Sequence, residues 1–107
     1  MEKIQINEDV NAIYINLTKM TDENIDNCYR DMLEQSWVLK AIEKHCEAFQ
    51  LECEKSVQIM ILSIGDGAVG RCVKLLDIVH EWAHRSGQKK ITIDDFMSKV
   101  LGFPKLY

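Results

Sequence analysis

The amino-acid sequence predicts an all-α protein, a compact bundle of four to six helices, with room for a small N-terminal β-hairpin. Three observations lead there: apolar residues recur at steps of three and four through most of residues 22 to 101, helix-capping residues stand at the ends of those stretches, and the 107 residues contain a single Pro. With 47% hydrophobic and 28% charged residues, the chain has material for one core, so residues 1–107 are expected to form one domain. Folding at this length buries roughly two thirds of the extended surface, and neither a metal nor a disulfide is needed as a staple.

The elements follow in order. Residues 4 to 17 are ambiguous: Val10, Ile13, Tyr14 and Leu17 suit a helix, Ile13, Ile15 and Leu17 alternate as a strand would, and helix is preferred. A helix over 22 to 34 is predicted from Ile25, Cys28, Tyr29, Met32 and Leu33, with Thr21 as N-cap and acids at Asp22 and Glu23 in the first turn. Val38, Ile42, Cys46, Phe49, Cys53, Val57, Met60 and Ile64 then form one apolar stripe. It predicts either a long helix from Ser36 to Ile64 or two helices broken near Gln50. Val69, Cys72, Val73, Leu76, Val79, His80 and Ala83 predict another helix, ended by Gly87. Thr92 and Asp95 form a T-x-x-D capping box ahead of Phe96, Val100 and Leu101, and Gly102 with Pro104 stops that last short helix.

Charge and cysteine content point to a cytoplasmic protein. The net charge of -4 divides into -7 over residues 1 to 67 and +3 over residues 68 to 107. Only Arg85, Lys89, Lys90 and Lys99 approach a basic cluster, so nucleic acid is disfavoured as a partner. The chain has no run of about 18 apolar residues, and its N-terminal stretch carries acids where a signal peptide has its apolar core, so neither secretion nor a membrane span is expected. Cys28, Cys46, Cys53 and Cys72 show no CxxC spacing. Cys46 and Cys53, one heptad apart on the helical stripe, read as small buried hydrophobes in reduced form.

Three strings resemble chemical motifs. Gly65, Gly67 and Gly70 spell G-x-G-x-x-G after an apolar run and before a helix, which resembles the Rossmann dinucleotide fingerprint. The first glycine lies 29 residues before Asp94, beyond the usual offset of about 20, and residues 57 to 64 continue a helical stripe, so the preferred reading is a turn in which Gly65 ends one helix and Asp66 caps the next. His80, Glu81 and His84 spell H-E-x-x-H, which resembles the zinc-peptidase signature. Where the extended motif carries a third ligand this chain has Lys90, a cation, so no metal and no cofactor are expected. The third string, AHRSGQKKITIDDF, resembles the helix, short basic loop and capped helix of lid domains in nucleoside-triphosphate-driven ATPases and of histone folds. No G-x-x-x-x-G-K-[ST] phosphate loop accompanies it, so at most it is a detached lid or a histone-like regulatory domain.

An interaction protein is therefore expected rather than an enzyme. The favoured function is a small inhibitor, in the style of immunity proteins, that masks a basic surface of a partner enzyme such as a nuclease; a minimal zinc peptidase is the alternative. The candidate docking residues are Asp22, Glu23, Asp26, Asp31 and Glu34 on the acidic helix, and Trp82, which lies off the centre of its helix's apolar stripe. Trp37 draws attention for the same enrichment of Trp at hot spots. Homo-oligomerisation is left open.

Overall fold

The structure, a computed structural model, describes residues 8–102. Its first helix, α1 (Glu8–Lys19), settles the ambiguous segment: Val10 and Leu17 are buried, Ile13 and Tyr14 half-buried, and Ile15 points to solvent. An alternating strand would have buried Ile15 beside Ile13 and Leu17, so residues 8 to 19 form no part of a hairpin. Residues 4 to 7 and the expected stop at Pro104 lie outside the described residues.

Helix α2 (Asp22–Gln35) begins where expected, with the Thr21 hydroxyl accepting a hydrogen bond from Asn24 N at 3.2 Å. Ser36 ends it and caps α3 (Trp37–Ala48), its hydroxyl accepting from Leu39 N. The long stripe is two helices. Gln50, at φ 57°, turns the chain after α3, and Leu51 N bonds back to Cys46 O at 2.8 Å. Cys53 consequently lies in a short strand, β1 (Glu52–Cys53), and not on a helix.

Helix α4 (Lys55–Ile64) is the centre of the fold. Six consecutive residues, Ser56 to Ile61, are buried, because α1, α2, α3 and α5 all pack around it. A helix apolar on nearly every side is what such a position requires. Its end at Gly65 serves a close approach: a Cβ there would lie 2.5 Å from Cys72 Sγ. Asp66 stands at φ 52° and Ala68 is the N-cap of α5 (Val69–Ser86), so the expected capping role of Asp66 is wrong; the turn bonds through its backbone, with Ala68 N on Gly65 O. Gly87, at φ 72°, terminates α5 as expected.

The chain then forms β2 (Lys90–Ile91), which pairs in parallel with β1, Glu52 opposite Lys90 and Cys53 opposite Ile91. This two-stranded sheet was not foreseen. Glu54 fastens it on both sides: its backbone N bonds Ile91 O, and its carboxylate accepts from Ile93 N at 2.9 Å. A last helix, α6 (Ile93–Asp95), runs into a π-helical turn over Phe96–Val100 closed by Leu101 N on Phe96 O. The architecture is a helical bundle with six helices among the described residues and one small β element.

The capping box forms as predicted, with Thr92 Oγ1 accepting from Asp95 N at 3.1 Å. Burial raises the cost of charge on Asp95, but hydrogen bonds from Gln88, Lys99 and Thr92 and the charge of Lys99 outweigh it and hold the carboxyl below its ordinary value. A depressed carboxyl stabilises the fold above its unfolded value of about 3.9 and loses that contribution as pH falls through its folded value. Asp95→Asn is therefore expected to cost about 0.5–1.5 kcal/mol at neutral pH. In urea titrations the difference from wild type should narrow below about pH 4; a gap independent of pH would contradict this account.

Candidate functional site

The solvent face of α2 carries three of the six residues expected to dock a partner, Glu23, Asp31 and Glu34. Glu23, Asn27, Arg30, Asp31 and Glu34 are all exposed and recur at helical spacing on one side, opposite Ile25, Tyr29, Met32 and Leu33. Three acids thus face solvent with one Arg among them. Two other acids of the expected set are differently employed. Asp22 sits in the first turn, where a negative charge meets the positive end of the helix dipole. Asp26 is half-buried and bonds Lys55 Nζ on α4 at 2.8 Å, a tie between helices and not a vacant docking charge.

Tyr29 anchors the opposite side of α2. Its hydroxyl bonds the Glu43 carboxylate of α3 at 2.8 Å and meets Gln58 Oε1 of α4 at 2.7 Å. Burial, then the Glu43 carboxylate, push its pKa well above the ordinary phenol value, so it is held as the neutral hydroxyl. The Lys55 ammonium lies over its ring at 5.8 Å from the centroid. This polar junction fixes the orientation of α2, and with it the direction in which Glu23, Asp31 and Glu34 point.

Trp82, expected as a docking residue off the centre of its helix's apolar stripe, is partly exposed. It is also partly buried and packs against the core. Trp37 holds the exposed position: it opens α3 at the α2–α3 corner with 68% of its surface accessible, three residues after Glu34. Lys40 and Lys44 follow it on the solvent side of α3. The sequence signal was present in both residues. Helical phase alone does not distinguish a Trp that a distant segment covers from one that nothing covers.

The H-E-x-x-H string is helical, as its resemblance implies, but its groups are spent individually. His80 stacks on Phe49, ring centroids 4.2 Å apart and planes 5° apart. Glu81 and Arg85 form an exposed pair at 3.8 Å. His84 is exposed, and Lys90 lies in β2. Asp95 is occupied as described, and Asp94 accepts from the Tyr14 hydroxyl at 2.6 Å. Among the described residues no three His, Cys, Asp or Glu side chains are placed to hold a metal ion. What the two histidines share is a shallow cleft of about 210 Å³ beside Phe49, Gln50 and Lys89.

The glycine string stands between two helices, not between a strand and a helix, since residues 55 to 64 are α4. The phosphate-cradling geometry of a dinucleotide site has no strand here to build on. All four cysteines are free thiols. The neighbouring Cys46 thiol, then burial, push Cys53 up, and burial pushes Cys72 up, so both are held as thiols. Among the described residues no helix is long and apolar enough to cross a membrane. No known protein family, curated protein or solved structure matches the chain.

Proposed function

We propose that this chain is a non-enzymatic protein-binding module that docks through the solvent face of α2 and the adjoining Trp37, and that it acts by occluding a basic surface of a partner enzyme, such as a nuclease. One observation carries the proposal: a Trp 68% exposed at a helix corner, next to a face bearing Glu23, Asp31 and Glu34. Exposing an indole this fully gives up the stabilisation that burial would provide, and Trp flanked by charge is the residue type that most often anchors interfaces. The acids would steer a cationic partner, over about a Debye length, toward that anchor.

The immobilised chain is expected to retain a basic protein from extracts of its source cells at low salt and to release it at high salt. Trp37→Ala should weaken retention about tenfold, as should joint reversal of Glu23, Asp31 and Glu34 to Lys, with helical content unchanged in both. Retention indifferent to both changes would rule out this face.

A second reading is favoured by one observation at the segment that resembles ATPase lids and histone folds. Its helix end, basic loop and capped helix are α5, residues 87 to 92 and α6, and the loop is tied by β2 into a parallel pair with β1. That reading makes the chain a regulatory domain acting on a separate ATPase. It requires the chain to change the hydrolysis rate of an ATPase that co-purifies with it, and an unchanged rate would exclude it.

A further inference from the structure

Along α5 the residues Arg71, Lys74, Ile78, Trp82 and Arg85 succeed one another at steps of three and four and so share one side of the helix. Arg71, Lys74 and Arg85 are exposed, Ile78 leaves 40% of its surface in solvent, and half-buried Trp82 forms the inner edge. Two exposed acids, Asp77 and Glu81, border this stripe, and Glu81 is paired to Arg85. Arg71 and Lys74 have no ion-pair partner among the described residues. An exposed apolar side chain flanked by cations, of which Arg71 and Lys74 are unpaired, on an 18-residue helix is a surface with the elements of an interface: a dry centre and a charged rim.

The α2 face has the opposite composition. It presents Glu23, Asp31 and Glu34 with Arg30 among them, against Arg71, Lys74 and Arg85 with Asp77 and Glu81 beside them on α5. The α2 face has three acids to one Arg and the α5 side three cations to two acids, and each has an exposed apolar residue, Trp37 near one and Ile78 on the other. Within one molecule both helices pack on α3 and α4, and no ion pair joins the two faces among the described residues. The complement of each face is available on another copy.

We propose that the α5 stripe binds the α2 face of a second copy of this chain, in a head-to-tail contact. Such a contact is heterologous: every copy keeps one donor face and one acceptor face, so association extends beyond a dimer unless the rotation closes a ring. It rests on the α2 face assigned above as the docking surface, and a basic partner would compete with the second copy for that face. Opposite charges at the rim make the association fall with rising salt.

Sedimentation of the full chain tests this with two variants: one with Glu23, Asp31 and Glu34 changed to Lys, and one with Arg71 and Lys74 changed to Glu, each checked by circular dichroism for unchanged helix. Wild type is expected to gain mass with concentration at low salt and to return to monomer at high salt. Each variant alone should remain monomeric, because like charges then oppose one another. Their equimolar mixture should associate, since the reversed α2 face of one meets the reversed α5 stripe of the other and the native pair of faces remains between them. A wild type that is monomeric throughout, or one whose association survives either reversal, overturns the proposal. Loss of self-association together with continued retention of a basic protein that Trp37→Ala weakens would leave the docking face of α2 standing, whereas loss of both would remove it.

Discussion

Phe96→Ala is expected to lower the stability of the fold by about 3–5 kcal/mol, the range for emptying a fully buried aromatic site. Phe96 is completely inaccessible, although it lies in the last helical turn among the described residues. Its π-helical turn packs against α5, and the same short segment carries the Thr92–Asp95 capping box and the β2 strand that Glu54 ties to α4. Truncation would therefore open a cavity beneath this segment, at the point where it packs on the bundle. For a chain of this length the melting temperature should fall by roughly 12 °C or more. Chemical denaturation followed by circular dichroism measures it. A loss under about 1 kcal/mol would mean that the C-terminal turn is an appendage to the bundle and not part of its core.

Gly65→Ala should also destabilise, by about 1–3 kcal/mol, although Ala is the better helix former and Gly65 occupies ordinary right-handed backbone at φ -74°. The added methyl would stand 2.5 Å from Cys72 Sγ and 3.2 Å from Cys72 N, and Cys72 is fully buried, so its sulfur has no solvent to turn into. The collision separates α4 from α5 at the turn that joins them. Its signature is coupling: Cys72→Ala alone costs stability by leaving a void, but combined with Gly65→Ala it should recover part of the loss, since the methyl then fills the space of the sulfur. Strictly additive costs in the double variant would show that the two positions do not compete for the same volume.

The candidate docking face was legible in the sequence to the extent that helical phase and charge determine exposure. Thr21 and the apolar residues of α2 set which side turns inward, and Glu23, Asp31 and Glu34 follow on the other side. Asp26 escaped this logic because Lys55, its partner, is 29 residues away and meets it only when α2 packs on α4. The different exposure of Trp37 and Trp82 has the same origin. Both are indoles on amphipathic helices, and only the packing of whole elements leaves Trp37 68% exposed while Trp82 lies partly buried against the core.

Elements whose hydrogen bonds and burial are set within a few residues were determined by the sequence alone. The helical stripes, the caps at Thr21 and Ser36, the left-handed Gly87 and the Thr92–Asp95 box each rest on neighbours within about one turn, so their signals are local. The parallel pair of β1 and β2 was decided by tertiary structure. Two-residue strands are too short to carry a period of two, and Glu52 and Lys90 stand 38 positions apart. They meet because α4 and α5 form a hairpin whose close turn at Gly65 returns the chain to the end of α3. The break of the long stripe at Gln50 likewise follows from that return, since a continuous helix would have left Ile91 without a strand to pair with and α4 without the helices that bury it on nearly every side.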